Sequence, residues 1–111
     1  MDQSRLDQLT GLLKDSPEEP FLLFAIAKEY ENQQNNDQAL AYYLRLQSAD
    51  ADYVGLYYHL GKLYELMDDA TRAFHTYTNG MKVAQKLGDQ HALNELAGAR
   101  LNLGDEEDFE E

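Results

Sequence analysis

Residues 23–43 read LFAIAKEYENQQNNDQALAYY, and residues 57–77 read YYHLGKLYELMDDATRAFHTY. Laid over each other at an offset of 34, they bring Leu23 onto Tyr57, Ile26 onto Leu60, Ala27 onto Gly61, Tyr30 onto Tyr64, Ala39 onto Ala73 and Tyr43 onto Tyr77. Each copy holds two runs in which apolar residues recur at three and four, the helical period. A polar break separates the runs, Gln33-Gln34-Asn35-Asn36 in the first copy and Asp68-Asp69 in the second. The repeated unit is therefore helix, turn, helix. Two helices cross closely only where a side chain is nearly absent, and Ala27, Gly61, Ala39 and Ala73 are those points. A glycine inside a helix costs roughly 0.5–1 kcal/mol against alanine, so Gly61 makes sense only if close packing compensates. The rings of Tyr30, Tyr64, Tyr43 and Tyr77 are expected to fill the space between helices, with their hydroxyls at the polar edge.

The same periodicity extends outward to six helices, over about residues 3–14, 18–33, 37–48, 53–67, 70–87 and 90–103, with no segment that alternates as a strand. Leu6, Leu9, Leu12 and Leu13 form the apolar face of the first. Asp15-Ser16-Pro17 ends it, because a residue before proline avoids the helical region. Ser16 is the expected N-cap of the second, with Pro17 in its first turn and Glu19 completing a capping box. Asp50 or Asp52 is expected to cap the fourth helix. Gly88 reads as a helix end and Asp89 as the next start. Loops of two to five residues make consecutive helices antiparallel.

The motif Leu23-x2-Ile26-Ala27-x2-Tyr30…Ala39-x3-Tyr43, and its copy Tyr57-x2-Leu60-Gly61-x2-Tyr64…Ala73-x3-Tyr77, resembles the tetratricopeptide repeat. The family's closing Pro is replaced by Ala51 and Gln85, and its loss at Gln85 lets the fifth helix run on. Pro17 lies 34 residues before Ala51, so the first helix is similar to the second half of a preceding repeat. Leu93-x2-Leu96-Ala97-x2-Arg100 resembles the first half of a third, shifted by two, with Arg100 where a Tyr stands in the family pattern. The resemblance implies an all-α, right-handed α-solenoid of antiparallel helix pairs. It gives one domain over 1–104, made of a half repeat 3–17, repeats 20–53 and 54–87 and a half repeat 90–104. An acidic, disordered tail over 105–111 follows. Half repeats matter because stacked units need neighbours to bury both faces.

Composition narrows the function. The chain has 111 residues, 21 acidic against 9 basic, a net charge of −12 and no Cys. Six of the acids lie in 105–111, leaving 15 against 9 in the rest, while residues 70–104 carry 4 bases and 2 acids. This balance argues against nucleic acid, whose phosphates need a Lys/Arg surface, and against anionic membranes. No apolar run approaches the ~20 residues of a span, and MDQSRLDQL lacks the pattern of a secretory leader. A cytoplasmic protein is expected. Without Cys there is no disulfide framework and no thiolate metal site.

His59, His75 and His91 fall on three helices with no paired spacing, so no metal is expected. Glu18-Glu19, Asp50/Asp52 and Asp68-Asp69 sit at helix starts, where carboxylates cap and meet the dipole. No phosphate-binding, dinucleotide, serine-hydrolase or zinc-protease motif occurs. A non-enzymatic protein without cofactor follows.

The resemblance implies binding of a peptide or protein partner in a concave groove lined by the first helix of each pair. Helical phase places Phe21, Phe24, Lys28 and Glu31 there, then Gly55, Tyr58, His59, Lys62 and Glu65, then Asn94, Gly98 and Leu101. Phe24/Tyr58 and Lys28/Lys62 each recur at 34, an aromatic-plus-lysine stripe suited to an apolar side chain and acidic residues of a partner. The plainer alternative is that Phe24 and Tyr58 pack on the neighbouring helix and the lysines are solvated. One subtype of the family clamps chaperone tails with Lys, Asn and Arg; its positions read Phe24, Lys28, His59, His91 and Glu95, which do not match. Homodimerisation through the terminal half repeats is the alternative function, favoured if Leu6, Leu12 and Leu101 face water. The tail could also lie along Lys82, Lys86 and Arg100 or enter the groove, with Phe109 as anchor.

Overall fold

The computed structural model describes residues 3–109. It is all-α, with the helices α1 (Gln3–Asp15), α2 (Pro20–Asn32), α3 (Asn36–Ala49), α4 (Gly55–Leu66), α5 (Ala70–Leu87) and α6 (Gln90–Leu103), then a short 3-10 turn η1 (Glu106–Phe109). No strand occurs among the described residues. The chain divides into two compact units, residues 1–53 and 54–111, and the break coincides with the junction between the two sequence repeats.

In the first unit α2 packs on α3 and on α1. The core takes Leu6, Leu9 and Leu13 from α1, Leu23, Ile26 and Ala27 from α2, and Ala39, Tyr43 and Leu46 from α3. Leu12, expected on the buried face of α1, is 56% exposed. At about 100° per residue it stands well round the helix from the Leu6–Leu13 line.

In the second unit α5 packs on both α4 and α6, and α4 and α6 also touch. Two glycines make this possible. Gly61 on α4 lies against the ring of Tyr77, which occupies the place a Cβ would take. Gly80 on α5 faces Tyr57 and Leu96, where an added Cβ would collide with Cβ of Tyr57 and stand 3.0 Å from Cδ1 of Leu96, so it admits α4 and α6 together.

The helix ends follow local chemistry. Gln34 and Asp68, 34 residues apart, both have φ of +60°, and each is followed by a capping residue. Asn35 Oδ1 accepts from Gln38 N at 3.3 Å, and Asp69 Oδ1 from Arg72 N at 3.0 Å. Gly88 is left-handed at φ +72°, and Asp89 accepts from Ala92 N at 3.0 Å, as the sequence implies. Helix α5 runs 18 residues against 14 for α3.

Two expected caps are corrected. Helix α2 starts at Pro20, and Glu19 rather than Ser16 caps it, accepting from Phe21 N at 2.9 Å. A residue before proline is held extended, and Glu19 has ψ of 115°. Neither Asp50 nor Asp52 caps α4, which follows Val54 without a side-chain cap; the Asp50 carboxylate instead takes Asp52 N at 3.1 Å. The tail expected to be disordered over 105–111 forms η1 across 106–109, and 110–111 lie outside the described residues.

Candidate interaction surface

The expected site residues stand on the first helix of each pair. On α2, Phe21 follows the Glu19 cap and is 62% exposed. Phe24, one turn on, is half-buried, its ring 6.2 Å from that of Tyr43 and 5.5 Å from that of Tyr53. One further turn along, Lys28 Nζ lies 3.6 Å from Glu31 Oε1. That same oxygen accepts the Tyr43 hydroxyl at 2.5 Å. Phe24, Tyr43, Glu31 and Lys28 thus form one connected cluster from the helix crossing to the surface.

The second unit repeats it. The Tyr58 ring is 6.5 Å from Tyr77, whose hydroxyl donates to Glu65 Oε2. Lys62 Nζ is 3.8 Å from the same Glu65 oxygen and 5.5 Å from the centre of the Tyr58 ring. His59 is half-buried, edge-on to Tyr58 at 5.8 Å. Asn94 is exposed on α6, and its Oδ1 accepts from Gln90 Nε2 at 2.8 Å within the helix.

The electrostatics follow from burial. Tyr43 and Tyr77 have no exposed surface. Desolvation first, and then the carboxylate each donates to, hold both phenols far above their ordinary range. An ionised phenol there would meet Glu31 or Glu65 without solvent. The lysines neutralise those carboxylates while keeping about two-fifths of their own side-chain surface exposed, 38% at Lys28 and 41% at Lys62.

The two rings take the plainer of the arrangements that the sequence allows. Phe24 and Tyr58 do pack on the second helix of their pair. Lys28 and Lys62 bridge to a glutamate and still reach water. The recurring Tyr–Glu–Lys link was not anticipated, although Glu31/Glu65 and Tyr43/Tyr77 each recur at 34. Among the described residues no group of three or more His, Asp or Glu is arranged to hold a metal, and no helix is long and apolar enough to cross a membrane. Clefts of about 460 Å³ between Pro17 and Leu44 and about 580 Å³ along Arg5–Leu12 lie outside the stripe.

No family model matches the chain, and no curated protein does. Solved structures do. The solution structure of a tetratricopeptide repeat domain protein from Salinibacter ruber is 45% identical with a TM-score of 0.76, covering 79% of this chain and 89% of that one. A crystal structure of a tetratricopeptide repeat domain protein from the same organism is also 45% identical, with a TM-score of 0.73 and coverage of 78% and 96%. A Bordetella parapertussis protein is 26% identical with a TM-score of 0.77, covering 88% of this chain and 85% of its own.

Proposed function

The chain belongs to the tetratricopeptide repeat family, and we propose that it is a non-enzymatic, cytoplasmic interaction module, an adaptor or scaffold that binds a peptide or protein partner. Within each unit, taken by itself, binding uses the solvent-reaching side chains of the groove helices, α2 in one and α4 and α6 in the other. The observation that carries this reading is the twofold occurrence of one surface cluster, Phe24/Lys28/Glu31 and Tyr58/Lys62/Glu65. Tyr58 and His59 offer half-exposed rings to an apolar side chain. Lys62, with 41% of its side-chain surface exposed, is offered to an acceptor on the partner, and Phe21 and Asn94 add to the binding residues.

Capture from native lysate on immobilised protein tests it, with a Tyr58→Ala/Lys62→Ala variant as comparison and a thermal melt of each as control. Species retained by the natural chain are lost from the folded variant. An unchanged set of captured species removes the stripe from the binding surface.

Self-association is the second reading. Leu12 and Leu101 are exposed by 56% and 70%, whereas Leu6 is buried. Sedimentation mass over a range of concentrations decides it, since a dimer doubles the mass as concentration rises.

A further inference from the structure

After α6 the chain turns at Gly104, with φ of +144°, a region that L side chains rarely adopt. A Cβ there would also stand 2.6 Å from the Asp108 carboxylate. Asp108 Oδ2 accepts from Asp105 N at 2.8 Å, and Asp108 N donates to Asp105 O at 3.0 Å, so the turn closes on itself. Its last residue reaches back to α5. The Phe109 ring stacks on Phe74, with centroids 4.5 Å apart and planes within 16°. The Arg100 guanidinium lies 5.2 Å from the centre of the same Phe74 ring and is held there by a 3.1 Å bond from Nη1 to Thr78 Oγ1. A cleft of about 290 Å³ adjoins it, lined by Phe74, Ala97, Arg100 and Leu101 and by the tail's own Gly104, Asp105 and Glu106. No carboxylate pairs with Arg100 among the described residues.

We propose that this α5–α6 face is a receptor for an acidic peptide segment carrying an aromatic residue, held in cis by the chain's own Phe109 until a partner's segment replaces it. The tail itself shows what the face accepts: a ring against Phe74, within a run of six acids beside the one net-basic stretch of the chain. Arg100 supplies the charge complement, a guanidinium held by Thr78 and paired with no carboxylate among the described residues. The face shares helix α6 with the proposed binding surface but none of the residues of the Phe24/Lys28/Glu31 and Tyr58/Lys62/Glu65 clusters.

The hold in cis is slight, one ring stack and a four-residue turn, so displacement is within reach of a peptide with more contacts. Yet a tethered tail competes at an effective concentration near the millimolar range. The test is a fluorescently labelled peptide of residues 105–111, DEEDFEE, titrated by anisotropy onto four full-length proteins: the natural chain, Phe109→Ala, Gly104→Ala and Phe109→Ala/Arg100→Gln. Phe109→Ala empties the face, and Gly104→Ala lifts the turn without altering the ring. Both bind the peptide saturably, and the natural chain binds it ~10-fold more weakly or worse because its own tail competes. Arg100→Gln in the emptied chain weakens binding, and a peptide with Ala for Phe does not bind. The proposal is overturned if neither opened variant binds, or if the natural chain binds as well as they do. It is also overturned in favour of exchange between copies if the natural chain sediments as a dimer and Phe109→Ala as a monomer.

Discussion

At the scale of single residues, two kinds of glycine sit in these helices and respond to alanine with opposite sign. Gly61 is filled by a neighbour: a methyl group would enter the ring of Tyr77, whose hydroxyl is anchored on Glu65. The ring has no room to yield, since Tyr77 is fully buried. Gly61→Ala is therefore expected to lower stability by roughly 1–3 kcal/mol, the usual cost of overpacking. Gly98 on α6 faces open space, with no neighbouring atom within 4 Å of where a Cβ would stand. There the methyl meets only solvent, and Gly98→Ala is expected to raise stability by roughly 0.5–1 kcal/mol through helix propensity. Urea titrations of both variants check the pair; equal signs would mean that the Gly61–Tyr77 contact does not restrict the crossing. The same logic explains why Gly61 could be read from the sequence and Gly80 could not. Gly61 occupies the family's small-residue position, whereas Gly80 is set by Tyr57 and Leu96, which no local spacing brings to it.

At the scale of helices, the two pairs differ where one carries a charge inside. Glu29 on α2 is only 7% exposed, with Oε2 bonded to Arg5 Nε of α1 at 3.2 Å and Oε1 buried without a partner among the described residues. Its counterpart 34 residues on is Leu63, fully buried. Replacing a buried ionic group by an apolar one of similar size is often stabilising, because the desolvation cost disappears. Glu29→Leu is expected to add about 1–3 kcal/mol, and Arg5, with 58% of its side chain exposed, rehydrates. A lower urea midpoint for Glu29→Leu would show instead that the pair fixes α1 on α2. Helix positions were legible throughout, since apolar period and polar breaks placed every start within a turn of where it lies. The start of α2 moved because Pro20 overrides the capping pattern at Ser16 and Glu19. The candidate surface was legible as a recurrence at 34, but not in its wiring. Spacing puts Lys28 near Glu31, yet it cannot tell that Glu31 also receives Tyr43 from another helix. In the tail, composition points to a disordered run, and only the alternative with Phe109 as anchor meets the ordered turn. Six acids in seven residues look solvated, and although Phe109 stands out as an anchor, no pattern links it to Phe74, 35 positions away.

At the scale of the whole molecule, each unit contains one buried phenol bonded to one carboxylate, and this sets how the protein responds to alkali. Tyr43 and Tyr77 hold their protons far above the ordinary phenol range, mainly through desolvation. Unfolding returns both to water, where they ionise near pH 10. Below that value folded and unfolded chains bind the same protons, and the contribution to stability is fully present. Above it the unfolded chain releases protons that the folded chain keeps, so stability falls as pH rises. The slope is about 1.4 kcal/mol per pH unit for each phenol. The natural chain is expected to lose stability steeply between about pH 10 and 11, because two phenols act together. Tyr43→Phe/Tyr77→Phe removes both slopes. It also gives up two hydrogen bonds to charged acceptors, at about 1.5–3 kcal/mol each at neutral pH. The double variant is thus weaker at pH 7 and less sensitive to alkali. Urea midpoints at pH 7, 10 and 11 for the two proteins check both halves. Parallel curves would mean that the phenols titrate in the folded chain, and hence that the helix crossings admit water in both units.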